Sequence, residues 1–540
     1  MHEVIVLDTL AQEGLDLLAA NAQVKFEVRT GLKGAELHDA LGHYDGAICR
    51  SGVQITADAL EGNRRLKAIV RAGVGVDNID LRAATRQGIV VMNTPAGNTL
   101  STAEHTIAMM LALARNIAPA CQSLFEGRWE RNKFMGTQLA DKVLGVVGLG
   151  RIGQEVAARA KAFQMSVVGY DPFMSQERAH ESGIETVRSV KEMLPQVDFL
   201  TVHTPLNDET RNMIGAAEIA MMRPGVRLIN CARGGIFNED ALVEGLRSGR
   251  LGGVALDVFT SEPCKESPLF GMKGVVVTPH LGASTEEAQS SVAVEGVALL
   301  VDYLTRGAIR HAVNMIPLDP KQLEGLRGYL DVAYRLGMLH AQMAPGPPTA
   351  CKLLYRGDVA GRETKLVTAA FAAGLLTGAM DEPINIVNAE VLLRERGIEL
   401  VEQSSLDKGD FSSLISAEVR SRERAFVAAG TVFGNKLVRL VRLGDHRLEA
   451  YLDGILMIFT HRDVPGIIGK VGTIFGVHHV NIAQMSVGRA DPGGAAIGVM
   501  NLDAEPPAAA LDEVLHHPDI ESVRIVRLPA AGELPPWMIG

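Results

Sequence analysis

Short apolar, β-branched runs alternate with amphipathic stretches over most of the first 312 residues. Val4–Leu7, Lys25–Val28, Tyr44–Cys49, Leu66–Arg71 and Gly88–Asn93 read as strands, with helical patterns at Ala11–Ala20 and Gly34–Leu41 between them. The rhythm resumes at Lys142 and continues through Val197–His203, Val226–Cys231, Gly252–Asp257 and Val275–Thr278. Runs without a polar face need cover on both sides, so this alternation predicts parallel sheets flanked by helices. A helix from Ser101 to Asn116, with Ser101 and Glu104 as a capping box, carries the chain from the first unit into the second. A helix from Thr285 to about Arg306 crosses back. From about 315 to 450 the pattern is mixed: Leu353–Tyr355, Ala425–Ala429 and Leu437–Arg442 read as strands, Leu366–Thr377 as a helix and Pro345–Pro348 as a loop. Residues 451–528 read as βαββαβ. The predicted class is α/β with two doubly wound parallel-sheet domains. A discontinuous first domain (1–97 and 285–312) holds an inserted second (98–284). An α+β domain (313–450), a small βαββαβ domain (451–528) and a flexible tail (529–540) follow.

Composition narrows the partners. A net charge of −10 without a basic run argues against a nucleic-acid surface. Cys49, Cys121, Cys231, Cys264 and Cys351 are scattered and form no C-x-x-C pair, so neither a disulfide framework nor a zinc site is expected. The paired histidines His478–His479 and His516–His517 read as exposed loop residues, and no metal is expected. Arg356, Lys436, Arg439, Arg442 and His446 read either as a solvated face or as an anion site. The N-terminus reads as a first strand, and the most apolar helical stretch, Thr106–Ala114, is too short to span a bilayer. A cytoplasmic protein without membrane contacts is expected.

The chemistry begins at the run ending Gly148-x-Gly150-x-x-Gly153, followed at once by a helical pattern and a second apolar run that ends on Asp171. Strand, tight turn, helix, strand and acid in this order form the dinucleotide-binding fingerprint. Gly148 permits the turn, Gly150 lets backbone approach a pyrophosphate, and Gly153 lets helix and strand close on each other. The helix N-terminus offers unpaired N–H groups to the phosphates. Asp171 would accept from both ribose hydroxyls and repel a 2′-phosphate, which favours NAD over NADP.

Later strands end in polar residues on the same edge, where α/β sheets bind ligands. His280 suits removal of a hydroxyl proton near neutral pH, Glu262 would orient its imidazole, and Arg233 can clamp a carboxylate. Arg50 and Arg71 end two strands of the first domain, as solvated charges or as the binding site of an anion. The stretch Arg71-Ala-Gly-Val-Gly-Val-Asp-Asn78 lacks the third glycine of the fingerprint and reads as a tight loop.

The motifs Gly148–Gly153 with Asp171, Asn230–Gly235, Leu256–Pro263 and Thr278–Ala283 resemble those of the D-isomer-specific 2-hydroxyacid dehydrogenases. The resemblance implies NAD beside Arg151, Ile152, Asp171, Thr204, Cys231, Ala232, Asp257, Gly282 and Ala283. It implies His280 as acid/base, Glu262 as its partner and Arg233 as substrate clamp. Further similar stretches and the added C-terminal half imply the branch that acts on a phosphorylated substrate. Arg50, Arg71 and Asn98 then meet the substrate, with Arg131 and Lys133 reaching a partner subunit's site. The expected reaction is oxidation of 3-phospho-D-glycerate to 3-phosphohydroxypyruvate, the first step toward L-serine. The C-terminal unit resembles a ferredoxin-like ACT domain, which implies L-serine as effector at His461, Asp463 and Asn481, in a homo-oligomer, dimer or tetramer.

Overall fold

The computed structural model describes the chain except residues 175–178, 180, 316–319, 344–345, 379–383, 423, 435–436 and 534–540, with backbone only at 320–323. Lys436 of the basic cluster, the start of the 345–348 loop and most of the 529–540 tail therefore lie outside the described residues.

Among the described residues, four sheets follow one another along the chain. The first is wholly parallel, in the order Val24–Val28, His2–Val6, Gly46–Cys49, Ala68–Arg71, Val90–Asn93. The second, also parallel, runs Val275–Val277, Leu251–Leu256, Val226–Asn230, Phe199–Val202, Val143–Val147, Ser166–Tyr170, Glu185–Thr186. Strands such as Gly46–Cys49 and Phe199–Val202 are buried at every position, which is why their sequences carry no polar alternation. Strand order in the second sheet reverses between Val143–Val147 and Phe199–Val202, so the glycine turn after Val147 opens at a topological switch point.

Two helices join these sheets. Glu286–Arg306 starts on a Thr285 hydroxyl that accepts from the Ala288 N–H at 3.1 Å and stops at Gly307 in the left-handed region, φ 67°. It returns to the first sheet, where a Cβ at Gly14 would lie 2.9 Å from Ala293. The other helix is Thr99–Ala114, and the expected Ser101–Glu104 capping box is absent. The helix begins two residues earlier, so Ser101 lies inside its first turn and its hydroxyl bonds Thr285 Oγ1 at 2.8 Å instead. No single helix among the described residues is long and apolar enough to cross a membrane.

The third sheet has six strands in the order Glu399–Ser405, Pro348–Gly357, Ser413–Ser421, Ala425–Phe433, Leu437–Leu443, His446–Tyr451, with only the first pair parallel. Helices Pro320–Met343 and Thr364–Leu376 cross at reciprocal glycines. A Cβ at Gly337 would sit 2.2 Å from the Phe371 carbonyl, and one at Gly374 2.0 Å from that of Tyr334. The fourth sheet is antiparallel, in the order Ile482–Arg489, Ala495–Leu502, Ile455–Arg462, Ile520–Arg527. Helices Ile467–Val477 and Ala508–Leu515 complete the expected βαββαβ. Its edge strand meets the third sheet through Gln484, whose amide accepts from the Tyr451 N–H (2.9 Å) and donates to the Glu449 carbonyl (3.2 Å).

Candidate active site

The glycine turn has the geometry of a phosphate cradle. Gly148 adopts φ +92°, and a Cβ there would lie 2.5 Å from the His203 carbonyl. A Cβ on Gly153 would lie 2.0 Å from the Gly148 carbonyl, whereas at Gly150 nothing lies within 4 Å. Two glycines thus close the turn and the middle one leaves its mouth open, as a pyrophosphate requires. Helix Arg151–Ala162 starts immediately after Gly150 and directs its free N–H groups there. Asp171 sits beside the turn, accepting from the Leu149 N–H on Oδ2 and the Phe173 N–H on Oδ1, both at 2.8 Å. Each oxygen keeps a lone pair for a ribose hydroxyl. Thr204 Oγ1 is buried without a hydrogen-bond partner, a donor and acceptor left for a ligand. These residues fit NAD. Cys231 lies beneath them, its thiol pushed up to about 12 by burial and so protonated.

Asp257 departs from a cofactor contact. It is 0% exposed. Oδ1 accepts from Thr278 Oγ1 (2.6 Å) and the Leu281 N–H (2.7 Å), and Oδ2 from the Gly282 N–H (2.8 Å). His105, from the joining helix, places Nε2 3.2 Å from Oδ1 and 3.1 Å from Thr278 Oγ1. Burial alone would raise this carboxyl; the hydrogen bonds from His105, Thr278, Leu281 and Gly282 outweigh it and hold the group ionised. Asp257 is the internal support of the 278–282 loop, and the Thr102 hydroxyl fastens that loop at the Gly282 carbonyl, 3.2 Å away.

His280 rides on this loop with φ +57°, its N–H held by the Asp257 and Thr278 carbonyls at 2.8 and 3.1 Å. Its Nδ1 donates to Glu262 Oε2 at 2.7 Å, which leaves Nε2 for proton exchange with a ligand. Glu262 Oε1 accepts from the Phe259 N–H at 3.0 Å. Burial would raise the Glu262 carboxyl, but the bonds from His280 and Phe259 and the imidazole's charge keep it below the usual carboxylate range.

Arg50, Arg71 and Arg233 form a cluster of guanidinium groups. The Arg233 side chain lies against Gly75, where a Cβ would come within 1.8 Å of Nη2, and Arg71 lies against Gly73, where a Cβ would come within 1.7 Å of Nη1. The stretch read as a merely tight loop is therefore the backbone bed of two arginines. Burial lowers the Arg71 pKa; the charges of Arg233 and Arg50 push it the same way, while Cys49 and Asp77 oppose them. Arg50 Nε, Arg71 Nε and Asn98 Oδ1 are all buried without hydrogen-bond partners. A lip lined with unsatisfied cationic donors is built for a multiply charged anion. Sequence reasoning missed its supports: Asn78 donates to the Arg50 and Val53 carbonyls, both at 2.8 Å, and Asn93 to the Val74 carbonyl at 2.6 Å.

The structure does not bring every expected residue together. Arg131 and Lys133 stand on the exposed turn Arg131–Phe134, and Lys133 pairs with Glu130 at 2.6 Å rather than with the crevice. His461 and Asp463 lie at one end of the fourth sheet and Asn481 at the other, because Arg489 pairs with Ala496 and Ile482 with Leu502. At about 3.3 Å per residue that separation is on the order of 20 Å. His461 Nε2 is buried without a partner, Asp463 binds Arg489 (3.1 Å) and the Gly493 N–H (3.0 Å), and Asn481 donates to Asp503 (2.6 Å).

A doubly wound sheet with a dinucleotide turn, a histidine paired with a carboxylate and a cluster of arginines are the features of a dehydrogenase of small 2-hydroxy acids. Residues 107–282 match the family described as D-isomer specific 2-hydroxyacid dehydrogenase, NAD binding domain. Residues 325–444 match the D-3-phosphoglycerate dehydrogenase intervening domain, and 455–515 the ACT domain. The chain is 43% identical over 530 residues to D-3-phosphoglycerate dehydrogenase of Synechocystis sp., covering 98% of this chain and 95% of that one. It is 38% identical over 529 residues to its counterpart in Bacillus subtilis, covering 98% and 100%. Among solved structures, a glyoxylate reductase from Paecilomyes thermophila superposes with a TM-score of 0.54 at 28% identity, covering 58% of this chain and 98% of that one. The chain belongs to the D-3-phosphoglycerate dehydrogenase family.

Proposed function

We propose that this chain oxidises 3-phospho-D-glycerate at C2 to 3-phosphohydroxypyruvate with NAD, the first step toward L-serine. The observation that carries the reading is the clustering of Arg50, Arg71 and Arg233, with Arg50 Nε and Arg71 Nε buried without partners, in a chain that also forms the His280–Glu262 pair. Arg233 takes the α-carboxylate, and Arg50, Arg71 and Asn98 take the phosphate end. His280 Nε2 accepts the C2 hydroxyl proton, and Glu262 stabilises the imidazolium that results. When bound, NAD supplies the hydride acceptor, nicotinamide C4. A glyoxylate or hydroxypyruvate reductase would need no such charge on the first-sheet lip.

NADH formation should be rapid with 3-phospho-D-glycerate and weak with glycerate or lactate; equal turnover of the three would remove the phosphate assignment. His280→Ala should lower kcat by about a thousandfold, within the range of general acid–base contributions, while NAD binding, followed by calorimetry, stays near wild type.

Assembly and regulation belong to the same proposal. Phe125, Trp129 and Met135 are 82%, 82% and 85% exposed around the turn that carries Arg131 and Lys133. An apolar face of this kind fits a second copy of the chain, whose crevice would then receive the two cations. Within one chain His461 and Asp463 lie far from Asn481, so an L-serine site would draw on two copies paired at the fourth sheet. Titration of the whole enzyme with L-serine, read by heat and by inhibition, tests that site; no heat at millimolar concentration excludes it.

A further inference from the structure

We propose that Asp77 is a positioning residue for the reaction, holding the Arg233 guanidinium across the crevice in the orientation that accepts the substrate carboxylate. The proposal rests on Arg233 being the carboxylate clamp. Asp77 follows the Gly73–Gly75 bed on the first-sheet side, and Arg233 follows the Val226–Asn230 strand of the second sheet. Asp77 Oδ2 lies 3.0 Å from Arg233 Nε. On the other side, Arg233 Nη1 donates to the Ala232 carbonyl at 2.7 Å. Two acceptors, one from each sheet, therefore fix the plane of the fork, and Nη2 is left lying over Gly75. A planar guanidinium held at two nitrogens has little rotational freedom left, so a carboxylate arriving at the third loses less entropy in binding.

The fold does not need this pair. The Asp77 side chain is 72% exposed, and an ion pair so placed contributes about 0–1 kcal/mol to stability. Its second effect is electrostatic. Asp77 opposes the mutual repulsion of Arg71, Arg50 and Arg233, which helps three cations from the two sheets stand in one cluster. Loss of the carboxylate should therefore appear in substrate binding and not in melting temperature or cofactor binding.

Asp77→Ala is expected to raise the KM for 3-phospho-D-glycerate about tenfold or more, the size of one charge-assisted hydrogen bond, with kcat within about threefold and the Kd for NAD unchanged. Asp77→Glu, which keeps the charge, should recover most of the loss. In the Arg233→Lys background, which lacks Nε and the fork, adding Asp77→Ala should cost little further. An unchanged KM in Asp77→Ala, an equal rise in the KM for NAD, or full additivity with Arg233→Lys overturns the proposal. If Asp77→Ala fails to fold, Asp77→Asn provides the same comparison, with about a threefold rise expected because its carbonyl still accepts from Nε. An Arg233→Lys enzyme with normal substrate KM would instead sink the clamp assignment itself, whatever Asp77 does.

Discussion

Two arginines, one in the crevice and one at the junction of the C-terminal sheets, meet their charges in opposite ways. Arg335, on the helix Pro320–Met343, is 0% exposed, and all three of its side-chain nitrogens are engaged. Nε donates to Asp331 (2.6 Å), Nη1 to the Leu452 and Pro529 carbonyls (3.3 and 2.5 Å), and Nη2 to the Ala530 and Glu533 carbonyls (3.1 and 2.7 Å). Leu452 precedes the fourth sheet and Pro529 follows it, so one side chain ties both ends of that unit to the third. Arg233 has one carboxylate and one carbonyl, and its third nitrogen is uncommitted. A buried guanidinium with every donor satisfied has nothing to offer a ligand and acts as architecture. One with a donor in reserve, next to others like it, marks where a ligand's charge belongs.

The contrast is broken most severely at the saturated end. Arg335→Met leaves Asp331 buried without its partner and several carbonyls without donors, a change that costs about 3–5 kcal/mol when one member of a buried pair is removed. Urea unfolding should show that loss, while kcat of the protein that remains folded stays near wild type. At the unsaturated end the pattern reverses. Arg233→Met should lower kcat/KM for 3-phospho-D-glycerate by about a hundred- to a thousandfold, roughly 3–4 kcal/mol, with a melting temperature within about 2 °C of wild type. If both variants lost stability equally and activity equally, the distinction would be void.

How much of this was legible in the sequence follows the same division. Glu262, His280 and Arg233 were legible because each stands just past an apolar run, and the chain-local signal already points to a strand end. Asp77 was not, because its meaning lies in a contact 156 residues away between two sheets. His105 was hidden for a similar reason: it lies in a helix that reads as a connector. The βαββαβ unit was clear throughout, since its strands and helices keep clean periods. The third region was read only in part. Strand Ser413–Ser421 alternates Ile415, Ala417 and Val419 inward against Ser416, Glu418 and Arg420, but its first turn of the pleat is inverted, with the polar Ser413 buried and the apolar Leu414 less so. The helix Pro320–Met343 was missed altogether, and the fully buried Arg335 at its centre reverses the usual rule that arginine lies outside.

A half-buried histidine extends the comparison to a group that can change its charge. His203 follows the Phe199–Val202 strand beneath the glycine turn; Nε2 lies 3.0 Å from Thr201 Oγ1 and Nδ1 is buried without a partner. Burial pushes its pKa down from 6.5 to about 4. Between those values the unfolded chain takes up a proton that the folded one refuses, so stability falls as pH falls. The contribution is complete above pH 6.5 and gone below about pH 4, amounting to roughly 3 kcal/mol at 1.36 kcal/mol per pH unit. The unfolding free energy of His203→Gln, which cannot take up that proton, should depend on pH less steeply by one proton across this window. Parallel slopes would show that His203 does not stay neutral in the fold.

The smallest effect should come from a charge pair that is neither saturated nor held in reserve. Arg86 and Glu395 join the first sheet's unit to the third at 3.2 Å, with side chains 52% and 47% exposed. Water competes for both groups, so Glu395→Gln should change stability by less than about 1 kcal/mol, and less still in high salt. The neighbouring contacts are of another kind: Asn385 donates to the Gly88 carbonyl at 2.9 Å and Asn388 to that of Arg86 at 3.2 Å, where little solvent reaches. Asn385→Ala should therefore destabilise the chain more than Glu395→Gln does, although it removes no charge. The opposite ranking in denaturant titrations would mean that formal charge, and not the satisfaction of buried donors, holds the two halves of this enzyme together.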